Sequence, residues 1–259
     1  MTTSEDEPLP YPFAGRRMEL EPEYGQLRRR PGLAKVRMPY GDPSWLATRY
    51  DDVRTVLGDS RFSRAAAVGR ATPGVRPDEV GSGGSGLIFM DPPEHTRLRR
   101  VLAGAFTARR VEAMRGYVEK TAAELVDRMI LHGPPADLVA HLAVPLPLTV
   151  VCTLLGVPAD DHPRFLPWVE ARRSADIPPE QTRRVMSEFM AYMSGLVARR
   201  RVEPADDLLS ELVQVRDAQG RLTDHELLSM AVTILAAGHQ TTAVLITNAV
   251  HVLDRHRDH

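Results

Sequence analysis

The segment from Gly220 to Arg257, "GRLTDHELLSMAVTILAAGHQTTAVLITNAVHVLDRHR", constrains the fold of this chain more than any other part. Thr223 followed by Glu226 forms a capping box, which predicts the start of a helix. The apolar residues that follow extend this helix for about 34 residues, or roughly 50 Å. Because the middle of the segment is polar, we expect residues 227–253 to form a buried helix of a soluble protein rather than a membrane span.

The polar middle of this helix, "AAGHQTT", covers residues 236–242. Gly238 costs about 1 kcal/mol relative to alanine in a helix interior, but it lets a flat ligand or another backbone approach closely. Thr241 and Thr242 can donate to carbonyls one turn earlier and bend the helix. These residues predict a distorted helix with a groove on one face. Tight packing of small residues against a crossing helix is an equally good interpretation of these residues alone.

Composition excludes several classes of protein. The chain has 259 residues, a formal net charge of -1 and a single cysteine, Cys152. One cysteine rules out an internal disulfide and a multi-cysteine metal site, and the balanced charge indicates neither a nucleic acid nor a membrane partner. The N-terminal "MTTSEDEPLPYPFAG" is acidic and has no apolar core, so we expect no signal peptide and a cytoplasmic location.

The chain before residue 91 alternates short elements with loops. Two short runs, "AKVRM" and "SWLATRY", flank the turn cluster "PYGDP" and predict a β hairpin at residues 35–50. Residues 64–86 are rich in glycine, alanine and proline and show no periodicity. A loop of this length is typical of a lid or a binding loop, and a disordered surface insertion is the alternative. Beyond residue 91 the pattern is mostly helical, which predicts a mainly α protein.

The segment "DPPEHTRLRRVLAGAFT", residues 91–107, predicts a helix that starts with Asp91 as its N-cap and Pro92 in the first helical position. His95 and Arg99 are four residues apart and therefore share one helix face. Both side chains can donate to an anionic oxygen, and arginine does so as a fork that fits a carboxylate. A solvated helix surface is the alternative interpretation of this pair.

Together, "MDPPEHTRLRRVLAGAFT" and "AAGHQTT" closely resemble the soluble bacterial cytochrome P-450 monooxygenases. The first motif is similar to the C helix of that family, and the second to the I helix that arches over the haem. The resemblance runs from about residue 35 to residue 259. It implies one incomplete, mainly α cytochrome P-450 domain over 1–259, with the β hairpin at 35–50. It also implies a B–C loop at 64–89, a C helix at 91–107 and a long central I helix at 223–257.

The resemblance also implies roles for individual residues. His95 and Arg99 would hold the propionates of haem b, while Ala237 and Gly238 would border the dioxygen groove on its distal face. Thr241 would stabilise dioxygen and relay protons as the catalytic hydroxyl. Gln240, which replaces the usual acid, can orient water but cannot ionise. The substrate pocket is expected within 64–89, 174–180 and 233–237, with Ile88, Thr233 and Ala236 among its lining residues.

The family's axial iron ligand is a cysteine thiolate in a loop that contains glycine and phenylalanine, beyond the I helix. Cys152 lies before the I helix, in "LTVVCTLLG", and is typical of a small buried hydrophobic residue. The resemblance therefore predicts a fragment that ends just after the I helix and contains no metal ligand. We expect such a polypeptide to bind haem weakly or not at all.

As a whole, the resemblance implies an oxygenase that inserts one atom of dioxygen into a small hydrophobic substrate of secondary metabolism. Electrons would come through a ferredoxin and a ferredoxin reductase, and arginines 97, 100, 109 and 110 would face an acidic partner or simply solvent. The alternative is a haem-free, cytochrome P-450-like helper of a partner enzyme. The missing cysteine favours the helper, whereas the intact His95, Arg99 and Thr241 argue against it.

Overall fold

A computed structural model of the protein describes residues 7–13, 19–75, 86–173, 177–219 and 222–257. The chain divides into two compact units, Met1–Asp91 and Pro92–His259. The first unit contains a small sheet and short helices, and the second is helical.

The first unit contains a three-stranded sheet formed by β1 (Leu9–Pro10), β2 (Ala34–Arg37) and β3 (Ser44–Leu46). β2 and β3 are antiparallel, with Ala34 opposite Leu46, and they form the predicted hairpin. β1 pairs with β2 in the parallel direction. The sequence analysis did not predict β1, because two residues are too few to show an alternating pattern.

The other elements in the described part of the first unit are helical. They are the short helices α1 (Pro22–Arg29) and α2 (Tyr50–Gly58) and two 3-10 turns, Ala65–Ala67 and Leu87–Phe89. The two 3-10 turns lie in the predicted loop at 64–89, of which residues 76–85 fall outside the described residues. The backbones of Tyr40 and Gly74 pair with each other, so this loop is tied to the turn that follows β2.

Asp91 does not act as the predicted N-cap. Its carboxylate accepts hydrogen bonds from the Ser63 hydroxyl and from the backbone N–H of Arg64, the latter at 2.9 Å. The next helix starts at Glu94 with Pro93 as its N-cap, and no side chain caps it. Asp91 thus satisfies donors of a distant turn within its own unit, and this tertiary bond replaces the local cap expected from the sequence.

The second unit consists of eight α-helices and two shorter turns among its described residues. The helices are α3 (Glu94–Ala105), α4 (Ala108–Ala113), α5 (Arg115–His132), α6 (Pro145–Leu154), α7 (Phe165–Arg173), α8 (Pro179–Val202), α9 (Leu208–Gln219) and α10 (Asp224–Arg255). A π-helical turn, Val139–Ala143, precedes α6, and a 3-10 turn, Ala159–Arg164, precedes α7. α3 is shorter than the 91–107 predicted for it, and α10 closely follows the predicted 223–257.

α10 is the longest described helix, with 32 residues, and it begins at the predicted capping box. The Thr223 hydroxyl accepts from the backbone N–H of Glu226 at 3.1 Å, and the Glu226 carboxylate accepts from the backbone N–H of Thr223 at 2.8 Å. α10 packs mainly along α6 and also contacts α8 and α9. By length and composition it is the one described helix that could cross a bilayer. Its buried residues all lie between Leu227 and Ala243.

A buried ion pair fixes the turn after α6 to the start of α9. Gly156, with φ 73°, would place an added Cβ 1.9 Å from the Asp207 carboxylate, so only glycine fits there. Asp207 accepts from Arg200 Nε at 2.6 Å and from the backbone N–H of Ser210 at 2.7 Å. Arg200 also donates to the Gly156 carbonyl at 2.5 Å. These bonds hold α6, α8 and α9 in the arrangement on which α10 packs.

Candidate functional site

An open apolar groove of about 540 Å³ lies in the second unit between α3, α5, α6 and α10. Its volume is in the range of small-molecule and cofactor sites. The lining residues are Leu102, Phe106, Val118, Leu146, Pro147, Val150, Val151, Leu154, Thr233, Ile234, Ala237, Gly238 and Thr242. We call this cavity the apolar groove. It brings together three of the residues predicted for the site, namely Thr233, Ala237 and Gly238.

Gly238 lies where α6 crosses α10. A Cβ at this position would be 3.2 Å from Val151 Cγ2, which is closer than most Cβ contacts in proteins. The same glycine lines the apolar groove. The two interpretations of Gly238 in the sequence are therefore compatible, because the missing side chain permits a close helix crossing and also leaves part of the groove wall flat.

One face of α3 contributes to the groove and, beyond it, carries two hydrogen-bond donors. His95, Arg99, Leu102 and Phe106 are spaced four, three and four residues apart, so they lie along a single helix face. Leu102 and Phe106 line the apolar groove, whereas His95, half-buried, and Arg99, exposed, lie further along the same face. In the described part of the chain, neither has a side-chain hydrogen bond or ion pair. These donors thus remain available for an anionic group of a ligand.

Arg97 lies on the opposite side of α3 and pairs with Glu226 in the first turn of α10. Burial raises the pKa of the Glu226 carboxyl, but its bonds to the Thr223 backbone and to Arg97 outweigh burial and hold the pKa below its usual value. Arg110 pairs with Glu211 of α9. Two of the four arginines considered for a partner surface are therefore engaged within the protein, and Arg100 and Arg109 remain exposed.

The two threonines of α10 form the predicted bonds within the helix. The Thr241 hydroxyl donates to the Ala237 carbonyl at 2.7 Å, and the Thr242 hydroxyl donates to the Gly238 carbonyl at 3.1 Å. α10 is helical without a break through this region. Both threonines are exposed, and Thr242 lines the apolar groove. The sequence analysis did not single out Thr242 for the groove, because the spacing of the motif alone does not show which threonine faces α6.

Gln240 and Ala236 lie on another face of α10, away from the groove. They line a small cavity of about 20 Å³ that faces α7 and α8. The other lining residues are Trp168, Val169, Met186, Phe189, Leu235 and His239. We call it the small cavity. The predicted substrate residues Thr233 and Ala236 therefore face different cavities.

The sequence analysis assigned no role to His239, although it is buried in the middle of α10 with 3% of its surface exposed. Its neighbours four residues away on either side, Leu235 and Ala243, are also buried. This apolar spacing around a histidine was the available signal in the sequence. Burial lowers the pKa of the imidazole, although a hydrogen bond to the Val144 backbone opposes this shift.

The remaining predicted residues of the substrate pocket lie outside these two cavities. Ile88 belongs to the first unit, where its side chain is exposed and its carbonyl accepts from Arg64 Nε at 3.1 Å. Residues 174–176 of the predicted segment 174–180 are not among the described residues. The assignment of these residues to a substrate pocket stays a prediction.

Cys152 lies on α6 and is completely buried. Burial raises the pKa of its thiol to about 12, so the thiol is protonated at neutral pH. A cysteine ligand to iron must be a thiolate. The burial and protonation of Cys152 thus agree with the role of a small core residue rather than a metal ligand.

The fold and the apolar groove define a mainly helical protein with a site built around one long helix. Residues 11–259 match the cytochrome P-450 family, and the chain belongs to this family. The mycinamicin IV hydroxylase/epoxidase of Micromonospora griseorubida is 47% identical over 249 residues. The alignment covers 95% of this chain and 62% of that relative. The nocardicin C N-oxygenase of Nocardia uniformis subsp. tsuyamanensis is 42% identical, with 94% of this chain and 61% of the relative covered.

Solved structures show the same relationship. The mixed-function P-450 MycG has a TM-score of 0.86 and 46% identity, with 95% of this chain and 63% of the solved chain covered. The putative thioether synthase SgvP has a TM-score of 0.88 and 39% identity, with 97% and 64% covered. These matches confirm the predicted cytochrome P-450 fold. The chain spans a little over three fifths of the length of the relatives named above.

Proposed function

We propose that this chain supplies the propionate-binding and distal parts of the haem site of a monooxygenase. The main support for the proposal is one face of α3. Leu102 and Phe106 on this face line the apolar groove, and His95 and Arg99 lie on the same face beyond the groove. An apolar cavity with two cationic or neutral donors at one end matches a ligand that has a flat apolar body and carboxylates at one edge.

Haem has these properties, and the residues present fit it. The porphyrin is flat and apolar, and Gly238 offers a wall of the groove without a side chain. The two propionates are carboxylates, and Arg99 can bind one of them as a fork. Neither His95 nor Arg99 would have to give up an ion pair that the described residues show. The cofactor we propose is therefore haem b, with its iron.

Bound haem would supply the redox chemistry that activates dioxygen. His95 and Arg99 would fix the orientation of the macrocycle through its propionates, and Ala237 and Gly238 would leave room for a small molecule beside α10. The Thr241 hydroxyl, which donates to the Ala237 carbonyl, keeps its oxygen lone pairs available to accept a proton or a hydrogen bond. Gln240 would orient water, since its amide cannot ionise.

The proposed reaction is the insertion of one oxygen atom into a small hydrophobic substrate, with Thr233 in the wall of the substrate pocket. The names of the relatives, a hydroxylase/epoxidase acting on mycinamicin IV and a nocardicin C N-oxygenase, support an oxygenase of secondary metabolism. We further propose that electrons come from a ferredoxin and its reductase, with exposed Arg100 and Arg109 facing the acidic partner. We place the protein in the cytoplasm.

A polypeptide of these 259 residues should bind haem only weakly, because its single cysteine is buried and protonated. The buried state of Cys152 is also the observation that favours the second candidate, a haem-free helper of a partner enzyme. The two candidates differ in whether His95 and Arg99 recognise propionates. A reduced, carbon monoxide-treated sample of this polypeptide that shows the characteristic Soret band of the family would contradict the expectation of weak binding.

Titration with two porphyrins tests the proposed function. Haem carries two propionates, and haem dimethyl ester carries none that are charged. We expect Arg99→Ala and His95→Ala each to weaken haem binding by about tenfold, the effect of losing one charge-assisted hydrogen bond of roughly 1.5 kcal/mol. Neither substitution should alter binding of the dimethyl ester. Absorbance titration gives both dissociation constants.

Arg100→Ala is the matched control, because Arg100 is exposed on the same helix but lies away from the face shared by His95 and Arg99. Equal effects of Arg99→Ala and Arg100→Ala would show a nonspecific charge effect and would contradict the proposal. Equal losses for haem and its dimethyl ester would also contradict it. Binding of neither porphyrin to the unmodified chain would favour the haem-free helper.

A further inference from the structure

The small cavity lies at the contact of α10 with α7 and α8, on the side of α10 where Gln240 projects. Most of its wall is apolar and comes from side chains such as Trp168, Met186 and Phe189. The lining residues with polar side chains include His239 and Gln240. The sequence analysis and the proposed function leave this cavity and His239 without a role.

The buried ring of His239 has a nitrogen without a partner. The Nε2 atom is buried and has no hydrogen-bond partner among the described residues. In the neutral ring, Nε2 can donate or accept one hydrogen bond, according to which nitrogen carries the proton.

A buried ring nitrogen without a partner is costly, by roughly 1–3 kcal/mol. The small cavity, at about 20 Å³, exceeds the roughly 10–15 Å³ that one water molecule requires. It is too small for an organic ligand. An ordered water also needs two or more polar partners, and the cavity provides two, His239 and the amide of Gln240.

We infer that the small cavity is a hydration site in which one ordered water forms a hydrogen bond with His239 Nε2 and is shared with the Gln240 side chain. His239 thereby acts as a positioning residue for Gln240. It fixes, through water, the orientation of an amide that cannot ionise. The hydration site follows from the geometry of this cavity alone. Its link to oxygenation through Gln240 rests on the proposed function.

Two measurements on the haem-free chain test the hydration site. In a crystal structure that resolves ordered water, we expect one water at hydrogen-bond distance, about 2.7–3.2 Å, from both His239 Nε2 and the Gln240 amide. Nuclear Overhauser effects between water and the His239 ring protons should show a bound water beside the imidazole. A dry cavity, or the absence of these effects, would overturn the inference.

A substitution that displaces the water provides the second test. Ala236 lines the small cavity, so Ala236→Val would fill it and leave His239 Nε2 without a hydrogen-bond partner. Ala249→Val is the matched control, since Ala249 is exposed on the same helix and the change in helix propensity is equal. We expect the melting temperature to fall several degrees further for Ala236→Val than for Ala249→Val. An equal or smaller fall would mean that filling the cavity removes no bound water, and it would overturn the inference. Because neither test uses haem, failure here is distinguishable from failure of the proposed function.

Discussion

Gly238 combines a structural and a functional requirement in a single position. The close approach of Val151 shows that α6 could not cross α10 in the same way if residue 238 carried a side chain. The position on the wall of the apolar groove shows that the same side chain would also enter the proposed haem site. Glycine costs about 1 kcal/mol in helix propensity. Both the close helix crossing and the open groove wall nevertheless require a residue without a side chain at this position.

Replacement of Gly238 by valine should destabilise the protein by about 1–3 kcal/mol, the usual cost of overpacking. The reason is the 3.2 Å distance between an added Cβ and Val151 Cγ2. Gly195→Val is the control, because Gly195 lies in the interior of α8 and has no atom within 4 Å of its added Cβ. The control should change stability by no more than about 0.5 kcal/mol. Urea unfolding of both variants gives the comparison, and similar losses would contradict the close crossing.

Gly156 allows a second comparison, between two glycines that end helices with positive φ. Gly133, with φ 81°, has no atom within 4 Å of its added Cβ, whereas at Gly156 the added Cβ would overlap Asp207. Gly133→Ala should cost about 1–3 kcal/mol from backbone strain alone, because φ 81° and ψ 168° fall in a region that glycine adopts and other residues avoid. Gly156→Ala should cost about 3 kcal/mol or more, because the buried pair of Arg200 and Asp207 must also separate. Chemical unfolding measures the loss of stability in each variant. Equal losses for Gly133→Ala and Gly156→Ala would show that the Asp207 side chain moves away at no cost in free energy.

For individual residues, the sequence predicted the side-chain bonds formed within one helix. It did not predict the contacts that a side chain makes with other helices. The bonds of Thr241 and Thr242 to carbonyls one turn earlier are local, and they were predicted. The role of His239 depends on the small cavity formed with α7 and α8. These partners come from distant parts of the chain, so no local pattern could identify them.

The ends of the helices follow the same rule. The capping box of α10 joins Thr223 and Glu226, three residues apart, and the structure confirms it. The predicted N-cap Asp91 was wrong, because its carboxylate bonds to Ser63 and Arg64, about thirty residues earlier. Local capping signals are thus reliable where no tertiary donor competes for the side chain.

Protonation of Glu226 should weaken the start of α10. Since its folded pKa lies below the ordinary value of 4.5, the ionised carboxylate contributes stability above about pH 4.5. That contribution is lost as the pH falls through the folded pKa. Glu226→Gln keeps a side chain that can complete the capping box but removes the charge. We expect the variant to be less stable than the unmodified protein at pH 7, on the order of 0.5 kcal/mol.

The difference in melting temperature between the two proteins should shrink below pH 4.5 and disappear once both side chains are neutral. Glu124→Gln is the control, because Glu124 is exposed on α5 and its carboxylate pairs with Lys120 of the same helix at 3.8 Å. A difference for Glu226→Gln that persists at the lowest pH would mean that the charge is not its cause.

For the whole chain, the sequence predicted the fold class correctly because two motifs and their order identify the family. His95 with Arg99 and the segment 236–242 are separated by more than 130 residues, yet α3 and α10 both line the apolar groove. That shared groove could not be derived from helical periodicity, which places residues on a face but does not pair one face with another. The resemblance supplied the pairing, and the structure supplied the residues of α5 and α6 that complete the wall.

The last half of α10 presents apolar side chains to solvent in this chain. Val244, Leu245, Val252 and Leu253 are between 50% and 66% exposed. Exposed apolar patches of this kind favour association. We therefore expect the 259-residue polypeptide to self-associate at micromolar concentration and to bind a hydrophobic dye. Leu245→Gln combined with Leu253→Gln should weaken self-association by at least about tenfold, because a covered leucine contributes roughly 1.5–3 kcal/mol.

Sedimentation velocity at several concentrations measures this effect. Ile130→Gln combined with Leu131→Gln is the matched control, because these residues of α5 are also exposed, at 67% and 85%. If the face of α10 drives association, the control variant should associate like the unmodified chain. A chain that is monomeric at all concentrations and unfolds in one sharp cooperative transition would contradict the prediction. Such a result would mean that the exposed half of α10 tolerates water without a covering segment.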